Sequence, residues 1–374
     1  RPLLFLGVAF ILTTKTNEKN TMGTYTMGMF ILRRTGVMLL TAFCLTFIVF
    51  IMTNLYPNLE KLAKNEGNFR MSDAEVASFL SNRGYTQGKL HNYGEWLGVL
   101  PGYVIEGIDG KTRGRCSNHG AILENANEYC GVLQGHWGFS SRFKEPVSQI
   151  VATRLGLTGK LMFWVLMVMI PSALMIGVFA GMREGSRLDR SLSSGAILTT
   201  ATPEYVSGVI FIAIFTSSAV GLKWFKGSAT SAMDHATLEN FLLPVITIAL
   251  YGIGYIARMT RASMAEVMTA QYIRTARLKG VSFANIVLKH ALRNALIAPF
   301  TVIMLQIPWL LNGVVIVEVL FNFKGFGWVL VQAASNNDID LLLAVSVVGV
   351  VVVLLTQLIS DIGYVFLNPR IRIS

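Results

Sequence analysis

Six stretches of this chain lack charged side chains over roughly 18 or more residues, the minimum for a helix that crosses about 30 Å of hydrocarbon. They are residues 35–59, 161–182, 205–222, 240–257, 294–317 and 341–360. Hydrophobic residues make up 53% of the 374 residues and charged residues only 14%, whereas charged residues are about a quarter of a soluble domain. The sequence therefore predicts an all-α polytopic membrane protein with six transmembrane helices.

The spacing of these stretches divides the chain into four parts. We expect a first transmembrane helix at residues 30–53, a loop domain of about 100 residues outside the cytoplasm at 54–156, and a membrane core at 157–374. Residues 1–29 contain an apolar run that is too short to span a bilayer and lacks the features of a signal peptide. They are predicted to be a poorly ordered extension.

Lysine and arginine are distributed unevenly between the two sides of the membrane. Seventeen lie on one side, in the amino-terminal part and in residues 183–190, 258–293 and 370–372, whereas the short loops on the other side hold three, at Lys223, Lys226 and Lys324. Cytoplasmic loops carry the excess of positive charge, so both termini are predicted to be cytoplasmic. This distribution accounts for the net charge of +11, and no nucleic-acid partner is expected.

The loop at 54–156 is polar and should fold as a compact mixed domain. Its segment MSDAEVASFL is typical of a capped helix that begins at Ser72 or Asp73. Cys116 and Cys130 lie in the same loop, in an oxidising compartment, where a disulfide between them would contribute about 3 kcal/mol. Cys44 lies within the first apolar stretch and should be an inert small hydrophobe.

A zinc site is the alternative for the loop cysteines. Cys116 with His119, and Cys130 with His136, form a Cys-x2-His and a Cys-x5-His pair. These are possible zinc ligands, but the second spacing is loose and the compartment favours oxidation. The disulfide is therefore the preferred prediction, and no metal site is expected.

A nucleotide-binding loop and an enzyme active site are both excluded by the pattern. GIDGKTRG contains the Gly-Lys-Thr of a phosphate loop, but Ile105 stands where the first glycine of that motif belongs, and no apolar strand precedes it. No Ser/His/Asp set, paired carboxylates or cofactor fingerprint occurs elsewhere. The chain is predicted not to be an enzyme.

The stretch QYIRTARLKGVSFANIVLKHALRNA is basic, although it lies between two apolar stretches. Helix-forming residues run from Met264 to Arg277, Gly280 stands where a left-handed cap would end a helix, and Ser282 can cap a second helix. The pattern predicts a helix–glycine turn–helix protrusion on the cytoplasmic surface. From the residues alone, it either enters a groove on a partner protein or rests on anionic lipid headgroups.

This stretch resembles the coupling loop of ABC-transporter permeases of the dipeptide/oligopeptide importer family. The matching residues are Arg261, Glu266, Tyr272, Arg274, Thr275, Ala276, Lys279 and Gly280, followed by HALRNAL. Ala298, between Ile297 and Pro299, departs from the usual run of apolar residues into proline. Weaker similarity extends from Phe30 to the carboxyl terminus, through FILRRTGVMLL, GVFAGMREGSRLD, TPEYVSGVIF and DIGYVFLNPRIR, in which Asn368 replaces the usual Asp.

The resemblance implies a transport mechanism with separate subunits. It implies a permease of the bacterial inner membrane that imports peptides or similar small solutes with a second homologous permease, two ATPase subunits and a periplasmic solute-binding protein. ATP and Mg²⁺ would be bound by the ATPases, and this chain would hold no cofactor. The matching residues from Glu266 to Gly280 lie within a coupling loop at 264–297. They would be displaced when the two ATPase subunits close on binding ATP. A proton-coupled secondary carrier is the alternative, although the chain shows no internal repeat typical of that class.

Polar side chains within the last two apolar stretches, or directly after them, are candidates for the translocation path, because burying them in hydrocarbon is unfavourable. They are Gln306, Asn312, Glu318, Gln357 and Asp361. Hydrogen bonding between neighbouring helices is the competing explanation for each. Glu318 and Asp361 lie near the ends of their stretches and are also placed to reach water.

Overall fold

The computed structural model describes residues 27–106, 112–114, 128–216 and 223–367. Its α-helices are α1 (Met27–Thr53), α2 (Tyr56–Glu66), α3 (Asp73–Ser81), α4 (Lys89–Leu97), α5 (Val147–Gly181), α6 (Arg187–Ala201), α7 (Glu204–Phe215), α8 (Leu238–Met268), α9 (Gln271–Leu278), α10 (Phe283–Asn285), α11 (Leu292–Ala295), α12 (Ile297–Leu320), α13 (Phe326–Ser335) and α14 (Ile339–Leu367). Short 3-10 helices occupy Val132–Gln134 and Thr230–Ala232, and a π-helix occupies Ile286–Ala291. The described part is therefore predominantly helical.

Four described helices, α1, α5, α8 and α14, are each long and apolar enough to cross a membrane. Two bent pairs, α6 with α7 at 105° and the helices at 283–295 with α12 at 49°, raise the number to six if each pair is one span. The third predicted stretch, 205–222, is represented by the 12 residues of α7, about 18 Å of helix, and its end lies outside the described residues. The chain is thus a polytopic membrane protein with four to six candidate spans.

The membrane core is built around α5, α8 and α12, whose side chains interlock at close range. A Cβ atom at Gly252 of α8 would lie 2.1 Å from the Met169 sulfur of α5, and one at Gly177 would lie 2.3 Å from Thr260 Cβ. The glycines therefore let these two helices approach more closely than larger residues would allow. The centre of this core contains Leu161, Met169, Ile248, Ile256, Ile303 and Leu310.

The loop domain packs onto the membrane helices rather than standing apart from them. Its α3 begins as predicted: the Ser72 side chain accepts from the Glu75 backbone, and the Glu75 side chain accepts from the Ser72 backbone. The Ser72 N–H and the Ser72 hydroxyl both donate to the Glu75 carboxylate and lower its pKa. The Tyr93 hydroxyl of α4 lies 2.9 Å from Thr46 Oγ1 of α1, and Trp96 joins a cluster that includes Leu343 of α14.

The same domain contains a small sheet beside its helices, which the expected mixed character of this loop allows and the all-α fold class leaves out. Strands β1 (Val104–Glu106) and β2 (Thr112–Gly114) pair antiparallel. Cys130 is buried and disulfide-bonded, and Cys44 is free. Cys116 and His119 lie outside the described residues, so the pairing of Cys116 with Cys130 stays a prediction.

Two helices lie where the sequence patterns predicted none. Ser186 begins α6 by accepting from the Asp189 backbone at 3.1 Å, in a Ser-x-x-Asp pattern that signals a helix start. Helix α13 follows α12 after a short turn and packs between α12 and α14. Both were missed because each is a short element adjoining a longer apolar stretch.

Candidate coupling site

The coupling loop begins with a sharp change of direction after α8. We predicted one helix over 264–277, but α8 ends at Met268 and α9 begins at Gln271. Ala270 between them is extended, with φ −64° and ψ 147°. That prediction was wrong because the extended residue turns α9 back, so that Ile273 packs against Met264 instead of continuing away from it.

Gly280 ends α9 with the predicted left-handed residue. Its φ is +74°, its N–H donates to the Arg277 carbonyl at 3.0 Å, and the Val281 N–H donates to the Ala276 carbonyl at 3.2 Å. This pair of hydrogen bonds is a Schellman motif. A Cβ atom at Gly280 would meet nothing within 4 Å, so glycine is favoured here by backbone conformation and not by space.

The second helix of the loop is present but irregular. Ser282 occupies its N-cap position without a side-chain hydrogen bond, and the following residues form α10, the π-helix Ile286–Ala291 and α11. The wider π-helical turn places both Ile286 and Val287 in the buried cluster. The predicted helix–glycine turn–helix is therefore confirmed in outline.

A buried apolar cluster joins the two arms of the loop to the membrane helices. It consists of Met264, Ile273, Ala276, Ile286, Val287, Ala291 and Ala295, with Val178 and Met182 of the α5 end packed against it. Ala276 is only 7% exposed. The Ala276 side chain therefore points into the chain's own cluster and not toward the outward face of α9.

The outward face of the loop is basic, with one large apolar side chain at its tip. Arg274, Thr275, Arg277 and Lys279 are exposed. Leu278 is 83% exposed, the highest fraction among the exposed large hydrophobic residues in the described part of the chain. The sequence reasoning missed Leu278, although its position beside Lys279 and Gly280 placed it at the turn.

Tyr272 and Glu266 lie on the flank of the protrusion. The Tyr272 hydroxyl accepts from Asn294 Nδ2 at 2.9 Å, which ties α9 to α11. Glu266 is exposed and, with Asn294 and Thr301, lines a groove of about 420 Å³ between α8 and α12. The Ser263 hydroxyl donates to the Ala295 carbonyl at 2.8 Å in the same groove.

The candidates for the translocation path have different surroundings. Gln306 is buried with no hydrogen-bond partner for its Nε2 among the described residues, and Gln357 is exposed. Asp361 pairs with Arg34 of α1 at 3.3 Å, and the Asn312 side chain lies outside the described parts. Helix-to-helix bonding thus accounts for Asp361 within this chain.

Glu318 joins three helices and does not reach water. Its side chain is fully buried, accepts from the Thr158 hydroxyl of α5, and accepts from the Trp328 N–H at 2.9 Å. Thr158 Oγ1 in turn accepts from the Phe326 N–H at 2.8 Å. The expectation that Glu318 reaches water is wrong, because its described contacts lie inside the chain and cap the start of α13. A place for Glu318 on the translocation path stays a prediction.

These features define a class: a polytopic membrane subunit with a closely packed, basic helical protrusion on one side and no catalytic constellation among the described residues of that protrusion. The model of the family described as "Binding-protein-dependent transport system inner membrane component" matches residues 173–373, which contain the whole protrusion. The chain belongs to this family and is the inner-membrane permease component of a binding-protein-dependent transport system, not an enzyme.

Curated relatives agree with the family match. A probable peptide ABC transporter permease protein of Sinorhizobium fredii is 33% identical over 244 residues, 64% of this chain and 77% of the relative. A putative peptide permease protein of Brucella suis is 28% identical over 336 residues, 88% of this chain and 94% of the relative. The oligopeptide transport system permease protein AppB of Bacillus subtilis is 31% identical over 247 residues, 64% of this chain and 77% of the relative.

Proposed function

We propose that this chain is the permease of an ATP-driven importer of peptides or similar small solutes, and that α9 with its Gly280 turn is the surface on which an ATPase subunit acts. The observation that carries the proposal is the protrusion itself. Its inner face is a packed apolar cluster, and its outer face carries exposed Arg274, Arg277, Leu278 and Lys279.

The close packing of the coupling loop favours docking on an ATPase subunit over simple contact with lipid headgroups. A loop that receives a mechanical push transmits it only if its two arms move together, and the cluster, the Schellman motif and the Tyr272–Asn294 hydrogen bond each join them. A lipid-bound basic loop needs only charge and an apolar face. The exposed Leu278 beside three basic side chains also fits a protein groove with an acidic rim.

The remaining subunits and topology follow from the same proposal. Two ATPases would bind ATP and Mg²⁺, a second homologous permease would complete the path, and a periplasmic solute-binding protein would deliver the solute. The distribution of basic residues supports six spans with both termini in the cytoplasm and the domain at 54–156 outside. Peptides are proposed as the solute because the relatives' names specify peptides.

Isolation of the native complex tests this proposal. The chain is tagged in its native membrane, solubilised gently and analysed by mass spectrometry, in parallel with a known importer as the control. We expect a second permease and ATPase subunits in the purified material. Recovery of the chain alone, when the control importer stays intact, would contradict the proposal and favour a self-sufficient carrier.

Replacing Gly280 by proline should weaken the attachment of the ATPase subunits to the coupling loop. Proline requires φ near −65° and removes the N–H that donates to Arg277, which together cost about 3 kcal/mol or more. Gly280→Ala is the matched control and should cost about 1–2 kcal/mol, since only the left-handed conformation is unfavourable. We expect Gly280→Pro to insert in the membrane in normal amounts and to lose ATPase subunits on purification. Parental ATPase recovery in this variant would remove the coupling role of the turn.

A further inference from the structure

An ion pair between a buried aspartate and a partly exposed arginine lies where the first cytoplasmic turn meets the helix that carries the coupling loop. The Asp189 side chain, in the first turn of α6, is 4% exposed. Its carboxylate accepts from Arg261 Nε at 3.0 Å and from Arg261 Nη2 at 2.8 Å. A guanidinium bound through two parallel N–H groups is held in orientation as well as in position.

Local hydrogen bonds fix the carboxylate from the α6 side. The Gly185 N–H donates to Asp189 Oδ2 at 2.9 Å, and the Ser193 hydroxyl donates to Oδ1 at 3.0 Å. The Asp189 N–H donates to the Ser186 hydroxyl at 3.1 Å. Glu184 adds a second carboxylate 3.3 Å from Arg261 Nη2. Asp189 is therefore bound to the turn, to its own helix and to α8 at once.

Arg261 lies on the part of α8 that supports the coupling helix. A Cβ atom at Gly181, at the end of α5, would lie 2.6 Å from both the Arg261 carbonyl oxygen and Met264 Cβ. Met264 belongs to the cluster that holds Ile273 and Ala276 of α9. A displacement of α9 is thus delivered first to this end of α8.

Helix α6 connects this point to the rest of the membrane core. Farther along, α6 packs on α8 through small side chains, since a Cβ atom at Gly254 would lie 2.1 Å from Thr199 Oγ1. After the bend, Gly208 of α7 packs against Leu320 and Phe321 at the end of α12. Contacts between small residues restrain the distance between two helices but not their relative orientation. The bidentate ion pair restrains both the distance and the orientation.

We infer that the Asp189–Arg261 ion pair is the mechanical tie that makes α6 and α7 move as one body with the coupling helix. This inference rests on the proposed function, because it assigns the pair a positioning role in ATP-driven transport. Neither residue touches solute or nucleotide in this role. Without the pair, α8 and the coupling loop would shift while α6 lags behind.

The test measures relative motion and not stability alone. Because replacing Arg261 alone leaves the buried Asp189 charge unpaired and is destabilising, the test variant is Asp189→Asn with Arg261→Met. It removes both charges, keeps a side-chain acceptor at the start of α6 and supplies apolar volume at position 261. Exposed Arg258, one turn earlier on α8, provides the control variant Arg258→Met.

Spin labels report whether α6 follows the coupling loop. They are placed at Leu198 on α6 and Leu288 in the coupling loop, both well exposed, in a Cys44→Ser background of the complete purified complex. Distances are measured by pulsed electron resonance without nucleotide and after trapping with ATP and vanadate. In the parent and in the Arg258 control, we expect the same distance in both states.

In the doubly neutral variant, we expect trapping to shift or broaden the distance by about 2 Å, the scale of helix shifts in switching proteins. An unchanged distance in that variant would overturn the inference, and so would a shift in the parent. Absence of ATP hydrolysis by the parent complex would instead refute the proposed function on which the tie rests. The two failures are therefore distinguishable.

Discussion

Replacing Glu318 by alanine is expected to destabilise the permease by about 3 kcal/mol, since each buried donor left without its acceptor costs about 1–3 kcal/mol. The Trp328 N–H and the Thr158 hydroxyl would both lose the carboxyl that accepts from them. The start of α13 would lose its cap. The hydrogen bond between Thr158 of α5 and Glu318 of α12 would also be lost. We expect a lower abundance in the membrane.

Thermal unfolding in detergent measures this effect. For a chain of 374 residues, a loss of about 3 kcal/mol corresponds to a fall of roughly 4 °C in the midpoint. Glu239→Ala is the matched control, because Glu239 is exposed at the start of α8, and it should change stability by no more than about 0.5–1 kcal/mol. If Glu318→Ala unfolds like the control yet abolishes transport, Glu318 acts in the path after all.

Tryptophan at position 276 should disrupt the coupling loop from within. Ala276 lies inside the apolar cluster, and overpacking a filled site costs about 1–3 kcal/mol. We expect α9 to separate from the π-helix and the ATPase subunits to dissociate. Cleavage by trypsin after the exposed Arg274, Arg277 and Lys279 should become about tenfold faster, since local opening that is 1.4 kcal/mol easier is tenfold more populated.

Tryptophan at position 275 is the matched experiment on the outer face. Thr275 is exposed, so the larger side chain should leave the cluster packed. With the permease purified free of ATPase subunits, trypsin cleavage should therefore stay at the parental rate. If the outer face of α9 docks on an ATPase, Thr275→Trp should nevertheless lower the amount of ATPase that purifies with the permease. Parental recovery of ATPase with Thr275→Trp would place the docking surface elsewhere on the chain.

Local features of this protein were predictable because each depends on residues near one another in the chain. Ser72 and Glu75, which lie three positions apart, cap α3 through hydrogen bonds to each other. Gly280, which has no Cβ, adopts φ +74° at the position where the helix pattern stops. The break at Ala270 was missed because the pattern in residues 264–277 does not distinguish one continuous helix from two helices at an angle.

The sequence by itself determined that the chain lies in a membrane and carries a basic helical hairpin, because span length, charge and turn chemistry are written in consecutive residues. Only the tertiary structure decided which side chains meet. Asp189 joins Arg261 across 72 positions, and Thr158 joins Glu318 across 160. The direction of Ala276 was likewise set by the packing of separate helices. Contacts of this kind depend on how helices are oriented about one another, and a hydrophobic pattern that is apolar on every face carries no record of that orientation.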